Sequence, residues 1–328
     1  MKFHTIPIAL LALSIPSCDK ARSLAGRARS AVGSGGDKNT ADDSGKVDPS
    51  LEKLVDRTAE GVVFRKDLPF PTRLDVKVTR THEVVSRVFE TSILGNTTTS
   101  LKGRQTTVTH LERAGDQVRY TLLESSFTEP VPEEQKKDKT KKPAVRQLVA
   151  PGAPLTYQRD GSKWTADGSG GFRGATLSKQ LSPVFDLLLE ENSLAPRKLW
   201  LGKKRIQIGT EIEVPKDLLP MLVTGNPEGK YTIRLDSIGA VHGHPCGVFT
   251  VHGSHKRQRV PDFEGNFTDE EVSVGSGRIW LSLLHPVILK EETDTVQDCR
   301  TGGNGSPVIR SQGTAKVSLT KDWKIPAK

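Results

Sequence analysis

No catalytic signature stands out in these 328 residues. Neither G-x-S-x-G nor S-x-x-K falls on a strand-to-helix turn, the setting that exposes a nucleophile. Ser276, between Gly275 and Gly277, leads into a strand, and a bend in that strand accounts for it. The acidic pairs Glu190-Glu191, Glu270-Glu271 and Glu291-Glu292 stand beside polar or turn residues and read as solvated faces. No period repeats cleanly enough to build a propeller or solenoid. The basic stretches, Lys136 to Lys142 and His255-Lys256-Arg257-Gln258-Arg259, lack the interleaved aromatics of a nucleic-acid stacking platform. No nucleic-acid partner is therefore expected. There are only three cysteines.

What is present is enough for one large folded body. Apolar residues make up 34% of the chain and 30 glycines add to them, a total slightly under the usual figure of about 45–50%. A core is within reach, with some unstructured length left over. The formal charge of +9 suits non-specific contact with anionic lipid or an anionic wall polymer, or simply a well-solvated surface.

The pattern along the chain is mostly of period two. A short helix is expected after Asp48, which can cap it, with Pro49 in its first turn and Gly61 at its end. Leu74, Val76 and Val78 then alternate with polar residues, and β-prone residues continue from Thr81 to Ile93. Thr106 to Arg113 and Gln117 to Phe127 flank a turn at Ala114-Gly115-Asp116. Residues 129–143 are charged and Pro-rich, a disordered excursion between strands. Asp160-Gly161 marks a further hairpin. Leu177, Leu181, Val184, Phe185 and Leu188 recur at helical spacing. Ile206, Ile208, Ile212 and Val214 return to alternation, with a bend at Gly209, and a helical turn is expected around Asp217 to Val223. From Lys230 the chain is a meander, with a turn at His285-Pro286 and a closing strand from Thr314 to Trp323. The fold class is mainly β: an antiparallel meander forming a curved sheet or half-open barrel, with two or three short helices.

The N-terminus carries the clearest address. Lys2, the apolar run from Ile6 to Leu13, and small residues before Cys18 make a secretory signal. The run is far short of the roughly 20 residues that span a bilayer, so removal is expected rather than retention. The end of the signal, Ile15-Pro16-Ser17-Cys18, resembles the lipobox of bacterial lipoproteins. That resemblance implies acylation at Cys18, which becomes the first mature residue, and a location in the cell envelope on one of its membranes. An ordinary secretory signal cut nearby is the rival reading. Residues 1–17 are then the signal and 18–47 a Gly- and Ser-rich tether. Residues 48–326 form a single β-rich domain, in which any sub-boundary falls between 150 and 200. A polar tether before a long β-meander also looks like uncharacterised β-rich envelope lipoproteins. Some of these are similar to the half-barrel lipoprotein carriers, and no residue motif carries that likeness.

With Cys18 acylated, Cys246 and Cys299 remain as an even pair in an oxidising compartment, which makes a disulfide one expectation and two buried thiols the other. His242, His244, His252 and His255 cluster around Cys246. Imidazole and thiolate suit zinc or copper, and H-x-H on a regular strand points both rings to one face. Pro245 and the neighbouring glycines argue for an irregular strand instead, and no cofactor is expected. Three functions follow from this reading: a lipid-anchored binding or structural protein, a carrier of lipid or another hydrophobic ligand, and a metal-dependent envelope enzyme using the histidines.

Overall fold

The structure is a computed structural model that describes residues 45–65, 68, 71–92, 95–131, 135, 140–151, 154–160, 163–166, 205–216, 219, 228–258, 267–285, 287–303 and 306–325. It begins with one helical turn, α1 (Pro49–Glu52), whose Asp48 carboxylate accepts a hydrogen bond from the Ser50 amide at 2.8 Å. The turn is short because its face is not buried. Instead of ending at Gly61, it gives way to a small hairpin of β1 (Asp56–Thr58) and β2 (Gly61–Val63), in which Gly61 sits at a φ of 125°.

The remaining strands form one twelve-stranded sheet. In chain order they are β3 (Arg73–Ser92), β4 (Gly95–Ala114), β5 (Gln117–Glu129), β6 (Ala144–Gln147), β7 (Leu155–Asp160), β8 (Lys163–Ala166), β9 (Glu211–Glu213), β10 (Glu228–Val241), β11 (His244–Gln258), β12 (Phe267–Ser282), β13 (Ile288–Gly303) and β14 (Ser306–Lys324). The path across the sheet is β8-β7-β5-β4-β3-β14-β13-β12-β11-β10-β9, and β6 pairs with the far part of β5. Every described pairing between strands is antiparallel. The sheet is curved and open, so the expected fold class stands. The charged excursion leaves at the end of β5 and returns into β6, which pairs back onto β5. The expected helix between Leu177 and Leu188 lies outside the described residues, as does most of the turn at 217–223.

One pairing ties the two halves together. β14 runs against β3 over seventeen consecutive partners, from Val308↔Thr91 to Lys324↔Asp75. The meander of the C-terminal half is thereby continued by the N-terminal hairpins.

Two buried clusters hold the sheet. The first gathers Leu74, Val76, Leu111, Tyr120, Tyr157 and Trp323 with Cys246, Val248 and Leu289. The second packs Val62, Phe64, Ile206, Val214 and Leu219 onto Tyr231, Ile233, Leu235, Phe249, Val251, Ile279 and Leu281. β11 contributes Cys246 and Val248 to one cluster and Phe249 and Val251 to the other. It is buried on both faces there, which is why Cys246 to Val251 is nearly continuously apolar where a one-sided strand would alternate.

The β10–β11 connection is a two-residue turn, with His242 at a φ of 48° and Gly243 at 81°. Both positions need left-handed backbone, the geometry of a type I′ hairpin, and Gly243 supplies it without cost. The Asp48 amide donates to the Gly243 carbonyl at 2.8 Å. The N-terminal segment therefore docks at this end of the sheet, and the β3–β4, β11–β12 and β13–β14 connections lie at the other.

Candidate functional site

The predicted histidines do not converge. His242 occupies the β10–β11 turn, so it shares no strand face with His244, and the H-x-H reading fails. His244 and His255 have opposite parity on β11 and point to opposite faces. His252 is exposed. Among the described residues no group of three His, Cys, Asp or Glu side chains is placed to hold a metal ion.

The cysteines do not converge either, which corrects the disulfide expectation. Cys246 lies opposite Ser282 on β12, and Cys299 lies opposite Glu270 on the same strand. Twelve residues of strand separate those positions, on the order of 40 Å, whereas a bridge needs Cα atoms within about 7 Å. Both are buried thiols. The Cys246 thiol donates to the His244 carbonyl at 3.3 Å, and burial pushes its pKa far up, making it inert. A thiol reagent added to the native protein should therefore modify neither. In denaturant two thiols should react if Cys18 is acylated and three if it is not, counted by mass. Rapid labelling of Cys246 under native conditions would contradict this packing.

His244 is instead part of a buried staple that sequence reasoning missed. Its Nε2 lies 2.6 Å from Ser282 Oγ. That oxygen also accepts from the Leu284 and His285 amides, each at 3.0 Å. With both lone pairs taken, the hydroxyl donates its proton to His244. A serine so bound has no lone pair left for nucleophilic attack, and it caps the β12–β13 turn. The His285 ring lies 6.2 Å from His244, and Trp323 lies 6.5 and 6.4 Å from the two. Burial lowers both histidine pKa values to about 4, so both rings are neutral at pH 7; for His244, His285 adds to the effect. His285-Pro286 was legible only as a turn.

A second arrangement lies on one face of β4, β3, β14, β13, β12, β11 and β10. Cross-strand partners share a face, so the register defines rows across the sheet. One row runs Thr107, Arg80, Leu319, Glu291, Ile279, Phe249, Leu235. Its last three members belong to the second core, and its first four are the open continuation of the same face. The next row is Gln105, His82, Val317, Thr293. Further along, Ser86 and Gln297 both pair with Gly313, and Tyr231 shares a row with Val274 and Thr295.

This face is partly covered. Arg80 is exposed, and His82, Gln105, Gln297 and Glu291 keep part of their surface. Yet burial raises the Glu291 carboxyl, against the pull of Arg80, of the Thr293 hydroxyl that donates to it at 3.4 Å, and of Lys321. Burial lowers the His82 pKa to about 4, with Arg80 acting in the same direction. These partly exposed but strongly desolvated groups make a polar strip along the sheet face, called the trough below. Gln297 donates to Thr295 Oγ1 at 2.9 Å, and the Tyr231 hydroxyl lies 2.8 Å from His255 Nδ1. The Tyr231 ring rests on Gly253, where a Cβ would come within 2.7 Å of it. His82 Nε2 and Ser86 Oγ are buried with no hydrogen-bond partner. Of its members the sequence singled out only Glu291, read as part of a solvated acidic pair, and His255, read as a metal candidate; the rest are ordinary strand residues brought together by register.

Comparison with known proteins adds no family. No family profile matches the chain, and no curated protein matches it. Among solved structures, the crystal structure of the P. putida toluene transporter TodX aligns at 6% identity with a TM-score of 0.18, over 80% of this chain and 92% of that chain. A likeness at that score carries no argument about fold or function.

Proposed function

We propose that this is a lipid-anchored bacterial cell-envelope protein that acts by binding, with the polar trough on its sheet as the binding face. One observation carries the binding part: a half-open strand face holds buried hydrogen-bonding groups without partners, and such groups mark a site that water or a ligand completes. The anchor rests on the signal and on the Ile15-to-Cys18 sequence.

The trough favours binding over the other two readings. Its buried Ser86, Thr293 and Thr295 make a poor seat for acyl chains. The histidines proposed for metal chemistry are spread over a turn and two strand faces.

Intact-mass analysis of the membrane fraction tests the anchor. The expected result is a chain beginning at Cys18 with a diacyl or triacyl increment, lost in Cys18→Ala. A soluble, unacylated wild-type chain would refute the anchor while leaving the trough untouched.

A further inference from the structure

We propose that the trough takes an uncharged, polyhydroxylated ligand, a glycan strand, laid along β3 and β13. This rests on the binding part of the reading above and is independent of the anchor. Charges of both signs line the trough: Arg80 faces Glu291 across Leu319, one strand apart on either side, and Lys321 on the same face of β14 also acts on Glu291. What remains for a ligand is a set of neutral donors and acceptors, namely His82, Ser86, Gln105 and Thr293. His82 is uncharged at neutral pH because of its burial.

A neutral imidazole, the Ser86 hydroxyl and a primary amide can each both donate and accept, and the Thr293 hydroxyl, which donates to Glu291, keeps a lone pair to accept with. Sugar hydroxyls do the same, whereas a carboxylate or phosphate offers only acceptors and would leave half of this capacity unused. An acyl chain would leave all of it unused. The two unpartnered atoms, His82 Nε2 and Ser86 Oγ, lie four residues apart on one face of β3. That is about 13 Å along the strand, too far for one small molecule to satisfy both closely and suited to successive units of a polymer.

The test uses the full chain and two defined probes, chitotetraose and maltotetraose, titrated by calorimetry at neutral pH. Saturable binding of at least one probe at millimolar concentration or below is expected, insensitive to added salt. The variants His82→Ala and Thr293→Val should each weaken it about tenfold while leaving the circular dichroism spectrum unchanged. If one variant fails to fold, the other decides. No binding by folded protein would overturn the inference, as would binding that both variants leave intact. Selective binding of a polyanion such as polyglutamate, lost with salt, would overturn it too, since that would make the basic surface the site.

Discussion

Lowering the pH from 7 to 4 is expected to remove most of the stability of this fold. His244 and His285 are neutral in the folded chain, with pKa values lowered from 6.5 to about 4 by burial. The unfolded chain takes up those protons first, so it binds more protons than the folded one between the two values, and stability rises with pH there. The contribution is complete above about pH 6.5 and is lost as the pH falls toward 4. A shift of this size amounts to about 3 kcal/mol per histidine, set against a total of about 5–15 kcal/mol for a folded domain. His82 adds to the same window. Glu291 works in the opposite sense, because its raised carboxyl is relieved as the pH falls. The carboxylate of Asp236, held low by hydrogen bonds from Thr250 and Arg234 against the cost of its burial, gives way only further into acid. Denaturant unfolding followed by circular dichroism at pH 7, 6, 5 and 4 measures the slope. In His244→Gln the slope between pH 6 and 5 should fall by about 1.4 kcal/mol per pH unit, one proton's worth. A stability that is flat from pH 7 to 4 in the wild type would refute the neutral buried pair.

Phe249→Ala is expected to cost about 3–5 kcal/mol. The ring is fully buried, lies 5.4 Å from that of Phe64, and sits on a strand covered on both faces. Around it Leu235 and Ile279 are its direct cross-strand partners. β2 and Ile206 reach the sheet through this cluster, held by the Val62–Ile206 bridge. The cavity would open where the β1–β2 hairpin is fastened, so both strand faces cannot close over it at once. Denaturant midpoints compare the variant with the wild type. Val85→Ala is the control: that side chain is 54% exposed, and its change should stay within about 0.5 kcal/mol. A Phe249→Ala loss no greater than the control's would contradict the second core.

Local chemistry made several elements legible. Asp48 caps the turn it was expected to cap, because an Asx side chain can reach the amide two residues on. The turn at Gly115 falls where Gly breaks the alternation. β7 and β8 pair up to Asp160 and Lys163, on either side of the expected Asp160-Gly161 turn. Gly161 itself lies outside the described residues, as does Pro286. Val118, Tyr120 and Leu122 alternate inward as period two requires. Gly61 misled, since a glycine after a helical pattern resembles a helix end but here permits the left-handed turn into β2.

By itself, then, the sequence determined the mainly antiparallel β class, a few of the turns between strands and the candidate address at Cys18, all of which depend on neighbours within a few residues. Only the tertiary structure decided which strands adjoin. The β3–β14 pairing joins residues more than two hundred positions apart, and no local pattern encodes a partner at that distance. That pairing and the registers on either side of it put Arg80 in line with Glu291 and His82 in line with Thr293. The same registers hold Cys246 and Cys299 far apart and set His244 beside Ser282. The polar trough and the buried histidine staple are products of register, and register is settled by burial across the whole sheet.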